Sequence, residues 1–302
     1  MDEIALGATV FKREEKVANL LDSIPSDSLV KSVYLGDNGE ITENKKKIYS
    51  KKYPFDLNVL DLEYDSGLGH SRQRIVKESN EPYLLIVDSD VEIPHNVELL
   101  YTILQQRDDL GGVGGILIEN DQIRSDCYDL FENGPLLLKD IREPKQVQNV
   151  SKAPFVPFDQ IQNVAMYRRD CVEDYCWDSA YTIGWEHTDF FIGHKKQTSW
   201  SFGVCPEVMF RHYPGGDTDY TNKRRSKQRL KETKEYFLNK WGYRQVVNGQ
   251  VNWLQTNDGL PYKYRLVEQL IKHGILSLPP SVQARIIELR DSIRKFRGKP
   301  PA

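Results

Sequence analysis

Short apolar runs of strand length alternate with stretches of helical periodicity over most of the chain. Ile4 to Phe11 reads as a strand. Lys12 to Ser23 carries apolar positions at Val17, Leu20 and Leu21, followed by Ile24, and Val30 to Leu35 is a second strand. That opening is a β-α-β unit. Asn58 to Leu62 predicts a third strand, a helix runs through Ile75 and Val76, and Tyr83 to Val87 is an apolar run of buried-strand length. Asn96 to Gln106 reads as a helix and Gly111 to Ile118 as a glycine-softened strand. Asp126 to Phe158 has mixed polarity and several prolines, which predicts irregular structure or a small excursion over a site. Gln162 to Tyr167 and Val204 to Phe210 resume strand character. Strands alternating with helices imply an open α/β sheet, whose ligand crevice lies at the carboxyl ends of the strands.

The polar residues that end these runs are the candidate chemistry. Asp88-Ser89-Asp90 closes the fourth strand, and alternation along an extended chain points both carboxylates the same way. Hard divalent cations take oxygen ligands in that arrangement. A solvated turn after a core strand accounts for the two acids equally well when they are taken alone. In Gly36-Asp37-Asn38-Gly39 the carboxylate again falls at a strand end, placed either to bond a base or ribose or to form a plain polar turn.

Gly67 and Gly69 open a helix, a setting that permits close approach to a phosphate. Arg72 stands where a dinucleotide fingerprint requires its third glycine. In Thr182 to Ile192, Glu186 and Asp189 are three apart and share a helix face. A helix first turn explains those acids but not Trp185 and His187 beside them. His212 ends the last strand, with Lys223-Arg224-Arg225 close behind, and can complete a metal and pyrophosphate site. The basic run by itself also fits a solvated helix face.

With 302 residues, 39% hydrophobic and 28% charged, the chain can bury a full core, and its net charge of -3 does not suggest nucleic-acid binding. Residues 260–302 carry nine Lys/Arg against three acids, so this segment is +6 and the remainder -9. Within it, Leu266, Leu270 and Ile271, then Ile286, Ile287, Leu289, Ile293 and Phe296, recur near helical spacing on either side of Leu278-Pro279-Pro280-Ser281. Two helices follow from that pattern. They either pack on the domain or lie as a basic amphipathic surface on anionic lipid. Cys127, Cys171, Cys176 and Cys205 form no zinc spacing, although Cys171 and Cys176 are close enough in sequence to pair. The start has no signal-peptide pattern and no run approaches a membrane span, so the expected setting is cytoplasmic, with peripheral contact at the inner face of the membrane as the alternative.

Taken in order, Thr9-Val10-Phe11-Lys12-Arg13, Asp37-Asn38-Gly39, Gly67 to Arg74, Asp88-Ser89-Asp90 and Gly184 to Asp189 resemble the motifs of GT-A glycosyltransferases, family 2 in particular, over roughly residues 4 to 215. Glu-His-x-Asp-Phe-Phe at 186–191 is also similar to a signature of some β-N-acetylgalactosaminyltransferases. The resemblance implies a Rossmann-like mixed sheet flanked by helices. It implies a catalytic domain over 1–222, with a nucleotide-sugar half to about 115 and an acceptor half from about 116, and a basic helical extension over 223–302.

The activity it implies is metal-dependent, inverting transfer of a hexose or N-acetylhexosamine. The donor is a nucleotide diphosphate sugar, UDP-sugar favoured, the acceptor is the hydroxyl of a glycan or lipid-linked acceptor, and the cofactor is Mn2+ or Mg2+. Asp88, Asp90 and His212 would be metal ligands, with Asp88 also near ribose. Thr9, Phe11, Arg13, Asp37, Gly67, Arg72, Ser89 and Arg224 would hold the nucleotide sugar, and Trp185 and His187 would face the acceptor. Position 187 departs from the family, since many members carry Glu-Asp there.

Inverting transfer needs a carboxylate to take the acceptor hydroxyl's proton and a cation to stabilise the departing diphosphate. Glu186 is the first candidate for that base. Asp189 is the second, with orientation of the acceptor or of His187 as its other role, and neutral His187 is a third. Two other classes of function are weaker. A sugar nucleotidyltransferase would show a glycine-rich loop with a basic residue near Ala8 to Arg13, and a non-catalytic nucleotide- or carbohydrate-binding protein would not need both metal and base candidates.

Overall fold

The computed structural model describes residues 3–254 except Asp217, Arg225 and Asn252, together with Val282. The chain opens with β1 (Ile4–Val10), α1 (Glu14–Ser23), β2 (Val30–Asp37), α2 (Glu43–Tyr49), β3 (Asp56–Asp61), α3 (Leu68–Glu78) and β4 (Tyr83–Asp88). Next come β5 (Val91–Glu92), α4 (Glu98–Gln106), β6 (Leu110–Glu119), β7 (Gln122–Arg124), β8 (Asp129–Asn133), β9 (Leu136–Asp140), β10 (Gln148–Val150), β11 (Ala153–Pro157) and β12 (Val164–Arg168). The described part ends with α5 (Arg169–Asp174), α6 (Glu186–Gln197), β13 (Ser201–His212), α7 (Thr218–Arg224), α8 (Lys227–Trp241) and β14 (Gln245–Asn248).

The main sheet has the order β10-β11-β13-β6-β12-β4-β1-β2-β3, with β5 added on β13 and β7 on β6. Strands β1 to β4 are mutually parallel where they pair, and so are β6 and β13. β12 runs antiparallel between β4 and β6, which makes the sheet mixed. β1 is buried along its whole length, as a central strand covered on both faces must be. Leu6, Leu85 and Val87 face α1 and α4, where they meet Val17, Leu20 and Leu100. Ala5, Leu84 and Ile86 face α3 and α6, where they meet Ile75 and Phe190. Period-two alternation therefore sends Asp88 to the α3 side.

The stretch read as irregular structure or a small excursion, Asp126 to Phe158, holds four strands. β8 and β9 form a small sheet with β14, a partner more than a hundred residues away, with Pro135 in the turn between β8 and β9 and Pro157 ending β11. Pairing with a distant strand leaves no local signature. Cys171 and Cys176 are both free thiols. The apolar stripes at Leu266 to Ile271 and Ile286 to Phe296 lie outside the described residues, and no described helix is long and apolar enough to cross a membrane.

Helix α8 is docked on the domain rather than lying free. Phe237 is fully buried, 4.9 Å from the Trp185 ring and 6.1 Å from that of Tyr243, while Arg229 pairs with Asp65 at 2.6 Å. Removing a buried phenyl ring leaves a cavity that costs about 3–5 kcal/mol. Phe237→Ala should therefore lower the denaturant midpoint of the whole chain in a single transition. A change under about 1 kcal/mol would show that α8 is not part of the cooperative unit.

Candidate active site

A cavity of about 290 Å3 opens where β1, β2 and β4 end, lined by Thr9, Phe11, Arg13, Asp88, Asp90 and His212. Gly67, Asn38 and Asp65 border it on one side, and Gly215, Tyr220 and Lys223 on another. The parallel register sets Thr9 beside Asp88 on the neighbouring strand. Thr9 Oγ1 and Asn38 Oδ1 are buried with no hydrogen-bond partner, so two polar atoms at the cavity wall stand ready for a ligand. The Phe11 and Tyr64 rings lie 5.4 Å apart, with Lys223 Nζ over both.

Arg13 has the left-handed backbone conformation, φ 67°, and its guanidinium reaches back across the strand ends. Nη1 pairs with Asp90, Nη2 donates to Ser89 Oγ at 3.1 Å, and the Tyr220 ring lies 4.4 Å away. Asp90 also meets His212, whose Nε2 is 3.3 Å from Oδ2. Burial alone would raise the Asp90 pKa, but the His212 hydrogen bond and the Arg13 charge hold it below the usual carboxylate range. Burial lowers His212, yet its bonds to Asp90 and to Glu119 win and its pKa is raised.

Arg72 is fully buried and divides its guanidinium between two acids, with Nη2 3.2 Å from Asp88 and Nη1 3.2 Å from Glu186. Glu186 Oε2 is left without a partner. Glu186 begins α6 after two left-handed residues, Gly184 at φ 73° and Trp185 at φ 68°, and Thr233 of α8 holds the turn by donating to the Ile183 carbonyl at 3.0 Å. Lys139 is buried nearby with its Nζ 4.7 Å from the Trp185 ring centroid, and burial pushes its pKa down to about 7. Trp185 itself packs on Phe237 rather than lining the cavity.

Several expected site residues are placed otherwise. Asp37 is wholly enclosed, accepting from Lys45 at 2.8 Å, Tyr49 at 2.6 Å and the Gly39 amide at 3.0 Å, so its carboxylate has no free face for a nucleoside. Asp189 is likewise enclosed. It accepts from Tyr175, Tyr181, Lys240 and Trp241 at 2.8–3.0 Å, which makes it the anchor between α6 and α8 and leaves it no access to an acceptor proton. His187 bonds the Ile161 carbonyl through Nε2 at 2.5 Å, and burial lowers its pKa to about 3.

The first amides of α3 are also taken, Leu68 by the Thr182 carbonyl at 2.9 Å and Gly69 by that of Tyr181 at 3.0 Å. Gly67 and Gly69 serve that close approach, since a Cβ at either would lie 2.4 Å or less from the 178–182 backbone, and no phosphate can cap the helix there. Arg224 ends α7, and its side chain is outside the described residues.

Glu119 and Asn38 carry no separate mark in the sequence. Glu119 ends an apolar strand as Asp88 does, and that shared position is its only available signal.

Among the described residues no three acidic, histidine or cysteine side chains converge on a point suited to a metal ion. Asp88 is turned to Arg72 and Asp90 to Arg13. The donor chemistry still fits a hard cation, because two carboxylates and an imidazole line one cavity. Arg13 and His212 both meet Asp90 through Oδ2.

The sequence matches the glycosyl transferase family 2 description over residues 8–176, more than half of the chain. The chain belongs to glycosyl transferase family 2. A stretch of 96 residues is 26% identical to the teichoic acid poly(glycerol phosphate) polymerase of Staphylococcus epidermidis, covering 31% of this chain and 13% of that enzyme. Among solved structures, S. aureus TarS 1–349 in complex with UDP-GlcNAc aligns with a TM-score of 0.50 and 14% identity, over 71% of this chain and 60% of that one. GalNAc-T7 with UDP, GalNAc and Mn2+ aligns with a TM-score of 0.52 and 12% identity, over 70% and 44%. The chain thus spans only part of each of these proteins, and the fold it shares with the two structures is GT-A.

His187 and His194 of α6 have pKa values pushed by burial to about 3 and about 4. The unfolded chain binds their protons near pH 6.5 while the folded chain does not, so the unfolded state binds more protons between those values. Stability should fall as pH drops from about 6.5 toward 4, by roughly 1.4 kcal/mol for each tenfold loss of proton affinity that folding imposes on a ring. Urea midpoints measured from pH 8 to 4 should show this slope, and His194→Gln should flatten it. An unchanged slope in the variant would remove this cause.

Proposed function

We propose that the protein is a metal-dependent inverting glycosyltransferase that uses a nucleotide diphosphate sugar, UDP-sugar favoured, and delivers a hexose or N-acetylhexosamine to a hydroxyl of a glycan or lipid-linked acceptor. The observation that carries this reading is the Arg72 fork. One guanidinium holds Asp88 at the donor cavity and Glu186 at the start of α6, and it leaves Glu186 Oε2 unpartnered. That oxygen is buried beside the cavity rather than lining it, and a carboxylate fixed through one oxygen and unpartnered at the other is suited to take a hydroxyl proton from an acceptor that reaches it.

In this reading the nucleoside lies along Thr9, Phe11 and Asn38, and the diphosphate lies toward Arg13. Mn2+ or Mg2+, when bound by Asp88, Asp90 and His212, supplies positive charge for the departing diphosphate. Glu186 accepts the acceptor proton while Arg72 keeps the carboxylate aimed. The two solved relatives are complexes with UDP-GlcNAc in one case and with UDP, GalNAc and Mn2+ in the other, which agrees with this donor chemistry.

Incubating the full chain with a panel of nucleotide sugars and Mn2+ or Mg2+ tests the reading. Sugar-dependent release of the nucleoside diphosphate is expected, whereas pyrophosphate chemistry or binding alone would refute it. Glu186→Gln should lower that release by ~10²- to 10⁴-fold while nucleotide affinity holds within about twofold. Near-normal turnover would take the base role from Glu186.

Arg13 gives a sharper expectation. A guanidinium on Asp90 competes with a cation there, and a diphosphate offers it another anion. Arg13→Gln should tighten Mn2+ binding without nucleotide and weaken UDP binding about tenfold, as loss of a charged hydrogen bond implies. Calorimetric titrations of Mn2+ and of UDP separate the two. Weaker nucleotide-free Mn2+ binding in the variant would contradict the competition.

A further inference from the structure

Strand β13 ends between two neighbours. On one side Arg211 and His212 pair with Glu92 and Val91 of β5, the strand that begins just after Asp90. On the other side Phe210 and Arg211 run in register with Leu117 and Ile118 of β6, so His212 comes level with Glu119. The Tyr213 amide bonds the Asp90 carbonyl at 2.8 Å and closes the arrangement. The imidazole is thus held between two carboxylates from different strands, with Nδ1 2.9 Å from Glu119 Oε2 and Nε2 3.3 Å from Asp90 Oδ2.

We propose that Glu119 is a positioning residue for the cation site: by accepting the His212 Nδ1 proton it fixes the ring so that Nε2, not Nδ1, is the nitrogen offered to a cation beside Asp90. This rests on the metal-binding role given to His212 above. An imidazole can ligate through Nε2 only if the remaining proton sits on Nδ1, and a carboxylate at Nδ1 enforces that tautomer, orients the ring and raises its basicity. Glu119 is itself steadied. It ends β6 at a hairpin whose two turn residues, Asn120 and Asp121, have φ 51° and 59°, and Arg124 returns to within 3.9 Å of its other oxygen. The β6–β7 hairpin, which does not line the donor cavity, thereby acts on the site through one hydrogen bond.

The test measures Mn2+ binding to the full chain in the presence of UDP, by the loss of the free-ion electron paramagnetic resonance signal, for wild type, Glu119→Ala, Glu119→Gln and Asp90→Ala. Glu119→Ala should weaken Mn2+ about 10- to 100-fold, the range typical for loss of such a partner. Glu119→Gln should recover most of that affinity, because its amide oxygen still accepts from Nδ1. A purely structural Glu119 would not be rescued in this graded way. UDP affinity without metal and the melting temperature should match wild type in both variants. Wild-type Mn2+ affinity in Glu119→Ala, with Asp90→Ala impaired, would overturn the positioning role alone. Wild-type affinity in Asp90→Ala as well would overturn the cation site itself. Equal loss in Glu119→Ala and Glu119→Gln would show that the negative charge, not the fixed tautomer, is what matters, and would also overturn the proposal.

Discussion

The site depends on one buried cation. Arg72 is enclosed in α3, and its two arms hold acids that come from β4 and from α6, residues 88 and 186. A guanidinium taken out of water is tolerable only with anionic partners in good geometry, and removing either partner would leave buried charge uncompensated. The guanidinium also lies 5.7 Å from the Trp177 ring, which stacks on Phe190 of α6 at 4.2 Å. Helix, strand end and base candidate are therefore locked together by charge and by ring packing at once.

Around that lock Asp88 and Glu186 share Arg72, Asp90 meets Arg13, and Glu119 meets Arg124, with His212 between Asp90 and Glu119. The topology produces this convergence, since β5 and β6 flank the end of β13 and bring residues 90, 119 and 212 together.

The helix that Glu186 begins is braced by a different device. Asp189 ties α6 to α8 through Lys240 and Trp241 and to the 175–181 segment through two tyrosines. α8, drawn from beyond residue 226, is thus tied to the helix that Glu186 begins. Glu186, with one oxygen unpartnered, and Asp189, with both oxygens taken, are thus three residues apart on one helix.

The sequence by itself determined the alternation of strands and helices and the placement of Asp88, Asp90 and His212 at strand ends. Those features are local: period-two burial and the charge that stops it are written within a few residues. It also supplied Arg72 and Glu186 as candidates. What it could not determine was which acids remain available. Asp37 and Asp189 carry the same local pattern as the acids at the cavity, yet Lys45 and Tyr49 enclose the first, and Lys240 and Trp241, fifty residues on, enclose the second. The glycines at 67 and 69 read as a phosphate cradle until the 178–182 segment, more than a hundred residues later, is laid across them. Glu119 gained its meaning only when β6 was placed beside β13. A carboxylate's role is set by the donors that reach it, and in this chain those donors come from distant segments that only the tertiary structure brings near.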